Sequence, residues 1–147
     1  MTVQDLPQRD GGKDTLLSWG DVVDLINKNQ VHLMKRSPSS QQEYNKFNAR
    51  IRAEYGSLDA YVRKELLRWD SGPKQYAFRV NDFPYALEPE IQHHVLWSPA
   101  PIDASTVKAI VDKELPNREW VWFINPVKYQ SIPSLFHVHI MSRPLAP

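Results

Sequence analysis

Apolar residues recur every three to four positions through the first half of the chain and alternate with polar residues through much of the second half. The first spacing is typical of amphipathic helices and the second of half-buried strands. The pattern predicts three helices, then two strands, a short helix and two more strands, with the change of period at Pro73. We therefore expect an α+β protein with a mostly antiparallel sheet.

The three N-terminal helices have recognisable boundaries. Ser18, Ser37 and Ser57 are placed as N-caps, because a serine hydroxyl accepts a hydrogen bond from a free N–H in the first turn. Gly56 is expected to end the second helix and the polar run 70–73 to end the third. These residues divide the first half into three short amphipathic helices.

The second half contains four alternating segments and one helical segment. The predicted strands are Tyr76–Val80, Ile91–Ser98, Glu119–Asn125 and Leu135–Met141, and Asp103 caps the helix between the second and third. We interpret residues 1–147 as a single domain with a loose arm (1–14), a three-helix cap (15–73) and a sheet core (74–147). Neither half has much core by itself, so the cap is expected to cover the sheet.

Composition and charge exclude several classes of protein. The formal net charge is +1, and residues 1–73 carry 11 basic and 10 acidic groups while residues 74–147 carry seven of each, so no field for binding nucleic acid is predicted. The chain has no cysteine for disulfides or thiolate metal sites. No apolar run approaches the roughly 18 residues of a membrane span. We expect a cytoplasmic protein with a small-molecule substrate, no membrane partner, and an edge strand able to form a homodimer.

The candidate site lies near the C-terminus. His137 and His139 are two apart on a predicted strand, so their imidazoles share one face. Asn125, Gln130 and Ser131 precede this strand and supply uncharged hydrogen-bonding groups. Two imidazoles beside amide and hydroxyl groups are typical of a catalytic or binding site.

Two separated motifs resemble the histidine triad (HIT) superfamily. QSIP at Gln130–Pro133, leading to HVHIMSR at His137–Arg143, resembles the end of its histidine motif. NDFPY at Asn81–Tyr85, followed by HHVLW at His93–Trp97, is similar to paired strands in its nucleotidyltransferase and dinucleoside-polyphosphate phosphorylase branch. The resemblance covers about Tyr76–Arg143. HHVLWSP and QSIP…HVH also resemble a fungal family named for induction by N-acetylglucosamine.

The HIT resemblance implies a HIT-like sheet and a small hydrolase or transferase acting on a phosphorylated or nucleotide-like molecule. In that reading His137 is the nucleophile, His139 the acid or base, and Ser131 a further catalytic group. The first histidine of the triad is replaced by Ser134 or Leu135, depending on how the motif is aligned. The expected substrate-binding residues are Asn81, Asp82, His94, Asn125, Gln130 and Arg143.

Two other functions use the same residues. His137 and His139, with His94 or its neighbour His93 from another strand, would make a three-nitrogen divalent-metal site in a lyase or isomerase. Only one of that neighbouring pair can face the site, because adjacent strand residues point to opposite faces. HIT-like chemistry requires no cofactor. The third hypothesis is a ligand-binding module without catalysis.

Overall fold

A computed structural model describes residues 16–67, 76–130 and 132–146. The predicted arm (1–14), the helix-ending run 70–73 and Ser131 lie outside the described residues. Within the described ranges, the chain forms helices and an antiparallel sheet, which confirms the predicted α+β class.

The first two helices begin where the sequence predicts, and the second also ends there. Helix α1 spans Trp19–Asn27 and helix α2 spans Pro38–Tyr55. Ser18 forms a capping box with Asp21, in which Ser18 Oγ accepts from the Asp21 N–H at 3.1 Å and the Asp21 carboxylate accepts from the Ser18 N–H at 3.0 Å. Gly56 ends α2 in the left-handed conformation, with φ of 85°.

The third helix differs from the prediction of one regular helix. Helix α3 covers only Leu58–Tyr61, capped by Ser57, and continues as a π-helical segment over Val62–Leu66. A π turn places five residues where an α turn places about four, so the apolar side chains leave the 3.6-residue spacing. A further helix, α4, spans Ala104–Glu114. The single-turn 3-10 helices are Val31–Leu33 and Val127–Tyr129.

Four strands form the described sheet: β1 (Ala77–Val80), β2 (Gln92–Ser98), β3 (Arg118–Phe123) and β4 (Phe136–Pro144). Their order is β1-β2-β4-β3, and every neighbouring pair is antiparallel. Strand β4 extends three residues beyond the predicted strand end and lies between β2 and β3. The two predicted histidines are therefore inside the sheet, where backbone hydrogen bonds on both sides hold the strand.

The pairing of β2 with β4 divides the sheet into two chemically different faces. His137 lies opposite Trp97, His139 opposite Val95, and Met141 opposite His93. We call the side that carries these residues the histidine face. The opposite side carries Leu96, His94, Val138 and Ile140, which pair with one another in the same register. Helix α4 packs Val107 and Val111 against this apolar side.

The N-terminal helices pack on the histidine face. Trp19 and Leu25 of α1 join a cluster with Phe123 and Met141, at one end of the face. Residues of α2 and α3 join a separate cluster with Ala77 and Trp97, at the other end. In the described ranges, no helix is both long enough and apolar enough to cross a membrane.

Candidate functional site

A cavity of about 150 Å³ lies between the histidine face, helices α2 and α3, and the loop Asn81–Tyr85. Several of the predicted site residues line it, namely Asn81, Asp82, Asn125, Gln130, His137 and His139. The apolar part of the wall is mainly aromatic, from Tyr44, Phe47, Tyr61, Phe83, Tyr85 and Trp97. The structure thus brings the two motifs, which are separate in the sequence, to the wall of one cavity.

His137 has one occupied and one free ring nitrogen. Its Nδ1 lies 3.0 Å from the carbonyl oxygen of Leu135. A carbonyl can only accept, so Nδ1 carries the proton and Nε2 has the lone pair of a neutral ring. Among the described residues Nε2 has no hydrogen-bond partner. Burial lowers the pKa of His137, and the hydrogen bond to Leu135 offsets part of that effect, so the ring is neutral at neutral pH.

His139 belongs to a hydrogen-bonded chain of buried side chains. Its Nδ1 lies 2.8 Å from His93 Nε2, and its Nε2 lies 3.3 Å from the side-chain amide of Asn125. The Asn125 amide is also 3.1 Å from the hydroxyl of Tyr85, while the Tyr85 backbone N–H donates to His93 Nδ1 at 3.3 Å. Both nitrogens of His139 are therefore engaged within the protein.

The backbone N–H of Tyr85 determines which ring nitrogens of His93 and His139 carry protons. Because the Tyr85 N–H can only donate, Nδ1 of a neutral His93 accepts and its Nε2–H donates to Nδ1 of His139. Nε2 of His139 then carries a proton. The structure places Nδ2 of Asn125 at this position, and a donor there requires the amide to be turned so that its oxygen accepts from Nε2–H of His139 and from the Tyr85 hydroxyl. Each ring nitrogen of His93 and His139 then has a complementary hydrogen-bond partner, which keeps both imidazoles neutral and fixed.

Burial is the main cause of the low basicity of this pair. It lowers the pKa of His139 to about 3, assisted by the nearby charges of His137 and Arg36. The pKa of His93 is also well below its ordinary value, first by burial and then through His139 and Arg36. A ring that is neutral and fully hydrogen-bonded is a poor acid or base near pH 7. This geometry favours a positioning role for His139 over the predicted acid–base role.

The structure does not bring His94 to the site: the adjacent His93 lies on the histidine face, and His94 lies on the opposite side of the sheet. His94 pairs with Ile140 on the opposite side of the sheet and stacks on Phe78 at 4.8 Å between ring centroids. Its Nδ1 is buried and has no partner among the described residues. Because side chains alternate along a strand, only one of these two adjacent histidines can face the site. The register of β2 against β4 places His93 there.

Arg143 is also absent from the cavity lining. It shares the histidine face in register, as predicted, but its Nε donates to Glu119 at 2.9 Å and its guanidinium lies over Trp19 at 4.8 Å. The cationic groups that line the cavity instead are those of Arg36 and Arg79. The prediction of Arg143 as a substrate contact is therefore corrected, because strand alternation fixes the face but not the position along it.

The remaining predicted polar residues shape the cavity wall. Asn81 Oδ1 accepts from the Phe83 N–H at 2.8 Å, which folds the loop back on itself, and Asp82 beside it is exposed. Gln130 Nε2 donates to the backbone carbonyl of Asn125 at 2.7 Å. Ser131 lies outside the described residues, so its predicted catalytic role stays a prediction.

Neither candidate for the missing first histidine lines the cavity. Ser134 is exposed and donates to Asp59 of α3 at 2.5 Å, and Leu135 is buried and contributes its carbonyl to His137. The third imidazole of the histidine face comes from His93 on the neighbouring strand. It is in direct contact with His139, with ring centroids 5.1 Å apart.

The contacts at the site do not favour a metal. Two nitrogens that bind one tetrahedral zinc at about 2.0–2.1 Å are about 3.3 Å apart. His93 Nε2 and His139 Nδ1 are 2.8 Å apart, which is the distance of a direct hydrogen bond. Within residues 16–67, 76–130 and 132–146, no three His, Asp or Glu side chains are grouped as metal ligands.

Sequence reasoning missed Arg36 and the role of Tyr85. Tyr85 belongs to the recognised NDFPY motif, and its ring lies 4.7 Å from His93 and 5.7 Å from His139. Arg36 immediately precedes the capping serine of α2, and no local pattern marks it. Its position follows from the packing of the α2 segment on a loop 47 residues away.

Comparisons with known proteins bear on the family and the fold. A family model described as "Protein of unknown function (DUF3605)" matches residues 18–143. The chain is 24% identical to N-acetylglucosamine-induced protein 1 of Candida albicans, over 84% of this chain and 67% of that protein. It is 25% identical to YPL067C of Saccharomyces cerevisiae, over 84% of this chain and 77% of that protein. These matches confirm the predicted resemblance to the fungal family.

A solved structure shares the fold. The structure entitled "Crystal Structure of HTC1" superposes with a TM-score of 0.67 at 23% sequence identity, covering 88% of this chain and 85% of that chain. The likeness extends through the helical half as well as the sheet, since it covers more of the chain than either half contains. The arrangement of helices on the antiparallel sheet is therefore found in another protein.

Proposed function

The chain belongs to the DUF3605 family, and for this member we propose a small enzyme in which His137 acts on a phosphorylated or nucleotide-like molecule bound in the cavity. The observation that carries the proposal is the hydrogen bond from His137 Nδ1 to the Leu135 carbonyl, 3.0 Å long. It orients the ring and leaves Nε2 as the nitrogen with an available lone pair. A neutral, oriented imidazole that lines a cavity meets the first requirement of a nucleophile or a general base.

The proposed reaction has two steps. Nε2 of His137 attacks phosphorus, a bond forms between that nitrogen and phosphorus, and the bond from phosphorus to the leaving-group oxygen breaks. The ring becomes a cation whose Nδ1–H remains hydrogen-bonded to Leu135, which stabilises the positive charge. Water then attacks phosphorus, and the nitrogen–phosphorus bond breaks with its electron pair returning to Nε2, which restores the neutral imidazole. The proton released by the water is taken up by the departed leaving group, directly or through solvent.

Other groups of the site would position the reactants. His139 contacts His137 edge to face, with centroids 5.9 Å apart, and is itself held by His93 and Asn125. The aromatic wall suits a flat, uncharged group such as a nucleobase. Because stacking is tolerant of ring identity, it supports a class of substrate and not one member of it.

The likeness to HIT chemistry supports the proposal in part. The proposal takes from that resemblance the pair of histidines two residues apart, which lies on an inner strand of the sheet. The absent first histidine departs from that motif, and His93 reaches the same face from β2. We therefore propose HIT-like use of His137 within a differently built histidine cluster.

The test is turnover of a panel containing a nucleoside phosphoramidate, a dinucleoside polyphosphate and a phosphate monoester. We expect His137→Ala to lower turnover by about 10²–10⁴-fold. His32→Ala is the matched control, since His32 lies in the 3-10 turn before α2 and outside the cavity. Thermal unfolding of both variants checks that they are folded.

Two results would separate this function from its alternatives. Turnover that survives in folded His137→Ala excludes the nucleophile role. Saturable ligand binding by a wild-type protein that turns over nothing in the panel supports the non-catalytic module. Chelator-sensitive turnover restored by a divalent ion would favour the metal-dependent lyase or isomerase, against the 2.8 Å contact of His93 with His139.

A further inference from the structure

We propose that Arg36 binds an anionic oxygen group, specifically a phosphate, of the ligand that enters this cavity. The inference rests on the proposed function for its substrate class but not for the chemistry of His137. It assigns the ligand a flat uncharged part and a phosphate held by a guanidinium from the helical half. That guanidinium belongs to neither of the motifs that the sequence displays.

The protein fixes one side of the Arg36 guanidinium. Nε donates to the carbonyl oxygen of Phe83 at 2.6 Å, and Cζ lies 3.8 Å from the ring centroid of Tyr44 and 5.5 Å from that of Tyr85. Both distances are within the range of a cation–π contact. The Phe83 carbonyl is in turn placed by the turn that Asn81 closes through the Phe83 N–H. The guanidinium is therefore oriented before any ligand arrives.

The other side of the guanidinium has no acceptor. Among the described residues, Nη1 and Nη2 of Arg36 make no hydrogen bond and no carboxylate lies within 4.0 Å of the group. A half-buried cation without a counter-charge is costly unless a ligand supplies one. The two terminal nitrogens form the planar fork that binds phosphate through paired hydrogen bonds.

The charge of the lining also favours an anion. Two guanidinium groups, of Arg36 and Arg79, line the cavity with one carboxylate, of Asp82, so its formal charge is 2 − 1 = +1 with neutral histidines. The Asp82 side chain is exposed, so water screens it more than it screens the half-buried Arg36. An anion entering the cavity is thus attracted toward the arginine side.

Size limits the part of the ligand that the cavity encloses. The cavity measures about 150 Å³, close to the volume of an engineered apolar cavity that holds one benzene ring and below the usual range for drug-sized ligands. One aromatic ring can be surrounded by the aromatic wall while its phosphate reaches the guanidinium. Phenyl phosphate has this composition and is a suitable probe, with phenol as its uncharged counterpart.

The experiment compares these two compounds by titration calorimetry on the full chain. We expect wild type to bind phenyl phosphate at least about 10-fold more tightly than phenol, because a charge-assisted hydrogen bond contributes that much. Arg36→Gln should lose at least 10-fold in phenyl phosphate affinity and the preference over phenol with it. Arg36→Lys should keep part of the preference, since it retains the charge but not the fork.

Arg50→Gln is the matched control. Arg50 is on α2 and lies over an aromatic ring, that of Phe47 at 5.4 Å, but it does not line the cavity. Its loss should leave the preference for phenyl phosphate unchanged. If Arg36→Gln unfolds, the inference is tested by Arg36→Lys and by the salt dependence of wild-type binding. Phosphate binding to the Arg36 guanidinium should weaken as ionic strength rises.

The outcomes separate this inference from the proposed enzyme. Arg36-dependent binding of phenyl phosphate without His137-dependent turnover supports the phosphate site and overturns the nucleophile. Turnover that depends on His137 while Arg36→Gln binds and turns over like wild type overturns the phosphate site alone. Absence of saturable phenyl phosphate binding by wild type, or equal affinity for phenol, also overturns the phosphate site.

Discussion

Acidification from pH 7.5 to 5.5 is expected to destabilise the protein through its buried histidine pair. His93 and His139 are both at least nine-tenths buried, with 2% and 6% of their surfaces exposed, and their nitrogens are occupied by hydrogen bonds to neutral partners. Protonation of either ring in the folded state would add an uncompensated charge. The unfolded chain, in contrast, protonates both rings freely.

Proton linkage gives the direction and the size of the expected change in the free energy of unfolding. The pKa of each ring is lowered on folding, so between the folded and unfolded values the unfolded state binds more protons, and stability is lost as the pH falls below about 6.5. From pH 7.5 to 5.5, the free energy of unfolding drops by about 1.4 kcal/mol for each such ring, or about 3 kcal/mol for both. His137, whose pKa is also lowered by burial, adds to this loss.

The carboxylates do not obscure the effect in this pH range. The pKa of Asp59 is lowered by its hydrogen bonds from Ser134 and Arg63, and that of Asp103 by the hydrogen bonds of its cap. Their contributions to stability are complete above their ordinary value of 3.8 and are lost only as pH falls toward that value. The change between pH 7.5 and 5.5 therefore reports the histidines.

Urea unfolding at the two pH values measures the prediction directly. For a domain of this size, about 3 kcal/mol corresponds to a fall of about 6–12 °C in the thermal midpoint. His139→Asn should be less stable at pH 7.5 but show about half the pH dependence. His32→Asn, outside the cluster, should keep the wild-type dependence. Equal wild-type stability at both pH values, or an increase on acidification, would refute the neutral buried pair.

Two further predictions concern single positions away from the cavity. Gly56→Ala should lower the free energy of unfolding by about 1–2 kcal/mol, because φ of 85° is unfavourable for alanine although its Cβ would meet no atom within 4 Å. Gly20→Ala, inside α1 and at ordinary φ, should instead be neutral or stabilising, and urea unfolding of both variants distinguishes these signs. His94→Phe should cost no stability and leave phenyl phosphate binding unchanged, since it removes an unpaired buried nitrogen on the apolar side of the sheet. A loss of phenyl phosphate binding in that variant, measured by calorimetry, would show that His94 contributes to the ligand site.

Local signals predicted the elements well because their causes are local. Ser18, Ser37, Ser57 and Asp103 cap the helices for which they were predicted, through hydrogen bonds to N–H groups three residues on. The strands follow the alternating segments with shifts of at most three residues at their ends. The π-helical continuation of α3 was not predicted, because its apolar residues also fit the spacing of a regular α-helix in the sequence.

The sequence predicted those parts of the site that depend on the alternation of side chains along one strand or on one local motif. Alternation placed His137 and His139 on one face correctly, and the motif NDFPY marked the loop that closes the cavity. Arg36 lies at the site because it contacts Phe83 and Tyr44, and no local sequence pattern predicts these two contacts. Long-range pairing of elements, and not composition, decided which cation lines the cavity.

The choice between His93 and His94 shows how the far side of the sheet determines the site. A shift of β2 by one residue against β4 would exchange these two histidines between faces. The same shift would move Leu96 out of the cluster in which it, Val138 and Ile140 are fully buried against α4, and would put Val95 or Trp97 in its place. A side chain of different volume in a close-packed core costs about 1–3 kcal/mol, so the fit of Leu96 under α4 opposes the shift. The apolar packing under α4, which never touches the cavity, thus holds His93 against His139 and keeps the histidine face assembled.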